Sequence, residues 1–194
     1  NLKRSLCLAT QVIDLKRPCI LALNMMDLIE MDKVTINIEE LENQLGVPVV
    51  PINARRKIGI GNLKHAIIDV SNQAQLTSPD FIDVSKLTPT VIKEIQHLCQ
   101  TTSPYNAFQI ACNYEIISNL TVPEKKEISE LAKEHHFIPK RHQATETIRR
   151  YKAIDALIAK TVTYPKFSKN KSLTQKIDNI LTHPLFGMVI FLIV

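Results

Sequence analysis

The stretch Cys19-Ile20-Leu21-Ala22-Leu23-Asn24-Met25-Met26-Asp27 runs apolar, stops at an amide and places a carboxylate three residues further on. Its length and lack of charge predict a buried strand that delivers Asn24 and Asp27 to its tip. In open α/β sheets, ligands bind beyond the carboxyl ends of the strands, so polar groups placed there are candidates for contact. An ionised Asp offers acceptors only. Its two oxygens match the adjacent N1-H and N2-H donors of guanine, a pair that adenine lacks. Asn24 carries donor and acceptor together, suited either to the base's other edge or to tying neighbouring loops. The same spacing also suits a turn followed by a helix cap, and N-x-x-D alone leaves that reading open.

A second segment agrees with the strand-tip reading. Asn37-Ile38-Glu39-Glu40 predicts an N-cap with an acid at the third helical position, Leu41 and Leu45 an apolar face, and Gly46 a stop. Val47-Pro48-Val49-Val50-Pro51-Ile52 then repeats the strand pattern and ends in Asn53-Ala54-Arg55. A helix opening near Asn62, with Leu63, Ile67 and Val70 on one side, follows; Leu2, Leu6, Ala9 and Ile13 mark another before the first strand. Helix, strand, helix, strand, helix is the order of a doubly wound parallel sheet.

Two parallel strands do not complete such a sheet, which is normally buried on both faces among several strands. The chain has no third strand pattern, so an N-terminally truncated α/β domain is expected, with unpaired strand edges and an exposed apolar face. At the other end, Leu185-Phe186-Gly187-Met188-Val189-Ile190-Phe191-Leu192-Ile193-Val194 is uncharged. A membrane helix needs about 20 such residues. The run therefore reads as the beginning of a transmembrane helix, against the competing reading of a tail packed on the preceding helices. Lys160, Lys166, Lys169, Lys171 and Lys176 crowd the stretch ahead of it. Cations in that position mark the cytoplasmic side of a span and suit anionic lipid heads as a secondary contact.

A length of 194 residues suits one medium domain or two small ones, and 45% hydrophobic content is that of a folded protein. The net charge of +5 raises nucleic acid as a partner, but aromatic content is 5%, Trp is absent and no aromatic-basic stacking motif occurs. No nucleic acid is expected. Cys7, Cys19, Cys99 and Cys112 are scattered without C-x-x-C pairing, which points to free thiols. Adjacent His135 and His136 face different sides of a helix, and with His142 they read as surface residues; no metal site is expected. Lys3-Arg4 is followed by Thr10, Gln11 and Asp14, which excludes a continuous apolar signal segment.

Around Ser78-Pro79-Asp80 the pattern changes from alternating strand and helix to helices alone. One stripe is Leu87, Val91, Ile95 and Leu98, and a second is Phe108, Ala111, Cys112 and Ile116. Thr121-Val122-Pro123-Glu124 starts a helix carrying Ile128, Leu131 and Ala132, and Ile148, Tyr151, Ile154, Leu157 and Ile158 form a further stripe. Ile177, Ile180 and Leu181 continue towards the apolar terminus. An all-α bundle is therefore expected after the sheet, with domains at 1–76, 77–171 and 172–194.

Asn1-Leu2-Lys3-Arg4-Ser5-Leu6, Leu21-Ala22-Leu23-Asn24-Met25-Met26-Asp27 and Pro51-Ile52-Asn53-Ala54-Arg55 resemble successive parts of the GTP-binding domain of the ferrous iron transport protein B family. Glu146-Thr147-Ile148-Arg149-Arg150-Tyr151 and Lys176-Ile177-Asp178-Asn179-Ile180-Leu181-Thr182-His183-Pro184-Leu185-Phe186-Gly187 resemble its helical domain and the approach to its first membrane span. The resemblance implies a partial P-loop GTPase-like sheet, then a helical domain that modulates nucleotide release. The parent would be a bacterial inner-membrane Fe²⁺ importer, with residues before about 184 on the cytoplasmic side and a homo-oligomer among its options. GTP or GDP is the implied cofactor, with Mg²⁺ in the parent.

By the same resemblance Asn24 and Asp27 are the guanine-reading pair. Met25 stands where many GTPases place Lys against the base. Asn53-Ala54-Arg55 is the last base-contacting loop, with the Ala54 N–H facing the guanine oxygen. The family more often has Ser at the position of Asn53, and Ile58 replaces a polar residue, so side-chain contact at 53 is not carried over. The pattern G-x-x-x-x-G-K-[ST], whose amides cradle phosphates and whose hydroxyl holds Mg²⁺, does not occur among Gly46, Gly59, Gly61 and Gly187. Residues 1–194 are therefore expected neither to hydrolyse GTP nor to move iron by themselves. The competing readings are a membrane-tethered helical interaction module without nucleotide and a basic adaptor for RNA.

Overall fold

The structure, a computed structural model, describes residues 2–72 and 79–165. Helix α1 (Leu2–Asp14) leads to strand β1 (Leu21–Leu23), a short helix α2 (Met26–Met31), β2 (Thr35–Ile36), α3 (Ile38–Leu45), β3 (Val49–Pro51) and α4 (Ile60–Asn72). Then come α5 (Pro89–Leu98), α6 (Pro104–Asn113), α7 (Val122–Glu134), α8 (Pro139–Thr161) and β4 (Val162–Thr163).

Strands β1 and β3 pair in parallel, with Leu21 opposite Val49 and Leu23 opposite Pro51. The α2–β2–α3 segment forms the crossover that a parallel pair requires. Its last helix is bounded as the sequence predicts. Asn37 Oδ1 accepts the Glu40 N–H at 3.0 Å, and Gly46 takes the left-handed conformation at φ 67°. Glu42 Oε1 then accepts the Val49 N–H at 2.7 Å, fixing the start of β3 to α3. A second, antiparallel pair joins β2 to β4 (Ile36 opposite Val162), extended by an Asn37 N–H bond to Thr161 O at 2.8 Å. That pair carried no sequence signal because each strand spans two residues.

Leu6, Ile13, Leu23, Leu41, Leu45, Val47 and Val49 make one buried core together with Ile154 and Leu157 of α8. Val91, Ile92, Ile95, Phe108, Ala111, Ile128, Leu131 and Phe137 make a second among α5, α6 and α7. Between them lies a buried ionic cluster. Arg150 of α8 donates from Nη2 to Asp14 Oδ2 at 2.8 Å and from Nε to Glu146 Oε1 at 2.6 Å. Asp14 also accepts the Phe81 N–H at 2.7 Å, and its own carbonyl receives the Ser103 hydroxyl at 2.7 Å.

Several expectations require correction. Strand β1 begins at Leu21, and Ala22 is exposed, because no second layer covers that face of a two-stranded pair. Helix α4 opens at Ile60 rather than near Asn62, and of its expected face only Val70 is buried; Ile67 is 52% exposed. Helix α6 ends at Asn113, which leaves Ile116 outside it and in solvent. On α8 the buried positions are Glu146, Arg150, Ile154, Leu157 and Thr161, while Ile148 is 62% exposed. The ionic cluster displaces the apolar stripe there.

The described residues up to Thr163 form one compact unit. Among the described residues no helix is long and apolar enough to cross a membrane. The expected boundary at 76–77, most of the lysine run and the apolar terminus from Leu185 lie outside the described residues.

Candidate functional site

The two parallel strands end side by side, and the ladder continues one step beyond them: the Ile52 N–H donates to Leu23 O at 2.8 Å. Immediately past that point Asn24 Oδ1 accepts the Ala54 N–H at 3.1 Å, joining residues thirty positions apart. A backbone N–H can only donate, so the side-chain atom at this contact is the amide oxygen, and the Asn24 NH₂ is turned to the other side. The Ala54 N–H, expected to face a base oxygen, is engaged here by Asn24 instead.

Met25 follows in a left-handed conformation (φ 64°, ψ 36°) and is 58% exposed. This is an uncommon backbone region for a non-glycine residue. It reverses the chain sharply between Asn24 and α2, so that Asp27 falls in the first turn of α2, half-buried. A carboxylate is favoured at that end of a helix by the exposed N–H groups and the dipole. The structure thus sets Asn24 and Asp27 on either side of one tight reversal.

The 53–58 turn is closed by four bonds. The Asn53 N–H donates to Ile58 O at 3.0 Å and the Ile58 N–H to Asn53 O at 3.1 Å. Asn53 Oδ1 accepts the Arg56 N–H at 3.0 Å, and the Lys57 N–H reaches Ala54 O at 3.3 Å. The Asn53 side chain is therefore buried and spent on its own turn. Ala54, Arg55, Arg56 and Lys57 are exposed. Of the six residues singled out in the sequence, the structure joins Asn24 to Ala54 directly and holds Asn53 and Arg55 in the same closed turn. Met25 and Asp27 stand at the opening of the adjoining helix.

Two features escaped the sequence reading. One is Gly59, at φ +76°, where an added Cβ would fall on the Pro51 carbonyl oxygen inside van der Waals contact; a glycine closing the Arg55-Arg56-Lys57-Ile58 loop was the available signal. The other is the Asp14–Arg150–Glu146 cluster: Glu146 and Arg150 stand one helical turn apart on α8, but Asp14 comes from α1, 136 positions away.

In chemical terms the strand tips offer carboxylate acceptors from Asp27 and an oriented amide donor from Asn24. That donor set is complementary to a base with two adjacent N–H groups on one edge and acceptors on another. Mg²⁺, implied by the resemblance, finds no donor set: among the described residues no group of three or more His, Cys, Asp or Glu is arranged to hold a metal ion.

A family model described as ferrous iron transport protein B matches residues 1–67. The chain is 26% identical over 204 residues to the Fe(2+) transporter FeoB of Staphylococcus aureus (strain MSSA476), covering 99% of this chain and 30% of that protein. It thus spans about 30% of that curated relative's length. Among solved structures, the cytosolic domain of L. pneumophila FeoB superposes with a TM-score of 0.64 at 24% identity, over 84% of this chain and 64% of that one. A GDP-bound point mutant of the S. thermophilus FeoB G-domain gives 0.65 at 25% identity, over 84% and 66%. The first third of the chain thus matches the ferrous iron transport protein B family model, and the fold over most of its described length is similar to that of the family's cytosolic domains.

Proposed function

We propose that this chain is the guanine-recognising and regulatory portion of a bacterial GTP-dependent ferrous iron membrane transporter. Residues 1–76 form the C-terminal part of its GTP-binding domain, 77–171 a helical domain that modulates nucleotide release, and 172–194 the approach to and start of a membrane span. The residues before about 184 lie on the cytoplasmic side of the inner membrane. Phosphate and Mg²⁺ binding, the hydrolytic step and the iron path belong to other parts of the protein.

The observation that carries the reading is the 3.1 Å bond from the Ala54 N–H to Asn24 Oδ1. It draws the ends of two parallel strands together and presents the Asn24 NH₂ as a donor. Asn24 then donates to the acceptors N7 or O6 of guanine, and Asp27 accepts from N1-H and N2-H. The loop of Asn53, Ala54 and Arg55 positions the amide, and Met25 offers an apolar surface beside the base. The printed descriptions of a GDP-bound FeoB G-domain and of Fe(2+) transporters among the relatives agree with this assignment.

The test is base selectivity. Asp27→Asn exchanges an acceptor for a donor, so in the full-length protein it should weaken GDP at least about tenfold and improve xanthosine diphosphate. Fluorescent-nucleotide competition measures both. An unchanged preference for GDP rejects Asp27 as the base reader.

A further inference from the structure

We propose that Gly59 is a positioning residue for base recognition, acting through the turn it closes; the inference rests on the guanine reading above. Asn53 and Ile58 exchange two backbone bonds, so the turn folds back onto the exit of β3, and the next residue passes directly over Pro51. Only a residue without a side chain fits that passage. A Cβ at 59 would fall on the Pro51 carbonyl oxygen and 3.3 Å from Ile52 Cα, both backbone atoms that cannot swing aside. Its φ of +76° strains any L side chain besides. Gly59 also directly precedes α4, its carbonyl accepting the Leu63 N–H at 3.0 Å. The turn is therefore pinned between the end of β3 and the first turn of a helix, and Ala54 is held opposite Asn24 as a result. Gly61, two residues on, meets nothing within 4 Å of an added Cβ.

A side chain at 59 must push the turn off β3 and carry the Ala54 N–H away from Asn24. The Asn24 amide then loses the bond that fixes its oxygen and is free to rotate, so its donor no longer faces the base. Asp27 rides on α2, directly after β1, and does not depend on the turn. The consequence is selective: one edge of guanine loses its reader while the other keeps it.

The experiment compares wild type, Gly59→Ala and Gly61→Ala in the full-length protein by competition among GDP, inosine diphosphate, which lacks the N2 amino group, and 7-deaza-GDP, which lacks the N7 acceptor. Wild type and Gly61→Ala are expected to bind each analogue about five- to tenfold more weakly than GDP, the worth of one hydrogen bond. Gly59→Ala should bind GDP about five- to tenfold more weakly, keep the preference over inosine diphosphate and accept 7-deaza-GDP as well as GDP. A general loss of folding would scale all three ligands together. Retention of both preferences by Gly59→Ala overturns the inference and leaves the guanine reading standing, whereas a wild type that does not separate GDP from inosine diphosphate overturns both. Should Gly59→Ala fail to fold, Asn53→Ala opens the same turn by removing the Oδ1 acceptor of the Arg56 N–H. The same selective loss is expected from it, and its absence overturns the proposal.

Discussion

Arg150 is fully buried with two carboxylates, Asp14 and Glu146, around it and its guanidinium carbon 4.9 Å from the centre of the Tyr105 ring. Burial lifts the Asp14 carboxyl above the usual range even though Arg150 and the Phe81 and Ile82 amides pull it down. Burial works against the charge on Arg150, but the two carboxylates outweigh it and raise its pKa. Burial, reinforced by Glu146, also pushes the Tyr105 phenol up to about 12. Removing one member of such a cluster strands the others, typically at about 3–5 kcal/mol. Arg150→Met is therefore expected to lower the unfolding free energy in urea by that amount. Adding Glu146→Gln should recover part of it, because one stranded charge is neutralised; a double variant no more stable than Arg150→Met refutes that account. None of this was legible from single residues. Nothing in the sequence marks Glu146 and Arg150 as buried, because charged residues are rarely buried unless paired and the further partner, Asp14, lies in α1.

At the scale of elements, local signals were read well where the determinants are local. Thr121 caps α7 as its sequence indicates: its hydroxyl accepts the Glu124 N–H, and Glu124 Oε2 accepts the Thr121 N–H at 2.7 Å. Those bonds to Thr121 hold the Glu124 carboxyl below its ordinary range. Thr121→Ala should cost about 1 kcal/mol in urea unfolding, as a lost N-cap does, and a neutral result would deny the cap a stabilising role. Asn37 and Gly46 bound α3 by the same kind of chemistry. Where the determinant is not local the elements shifted. Ile148 and Tyr151 matched a helical stripe, yet the face of α8 that turns inward is the one bearing Arg150. Exposed Ile67 and Ile68 on α4 show the same limit from the other side, since apolar spacing does not say whether a neighbour is there to be packed against.

At the scale of the molecule, α8 belongs to both halves. Ile154 and Leu157 fill the core beneath α1, α3, β1 and β3, while Ala153 packs against the core of α5, α6 and α7. Ile154→Ala should accordingly destabilise residues 1–163 by about 2–5 kcal/mol while preserving a single cooperative transition. Two separated transitions in wild type, only one of them moved by the substitution, would show that the halves unfold independently. The sequence by itself determined the alternation of the longer helices with the two parallel strands, the β1–β3 pairing, the caps of α3 and α7, and the placing of Asn24 just past the end of β1. Each of these follows from spacing and side-chain chemistry within a few residues. Only the tertiary structure decided that the Asn24 oxygen takes the Ala54 N–H, that Gly59 must pass over Pro51, and that Asp14, Arg150 and Glu146 meet away from solvent. These depend on which distant segments occupy the same space, and steric exclusion and the cost of burying charge act only once the chain has brought them there.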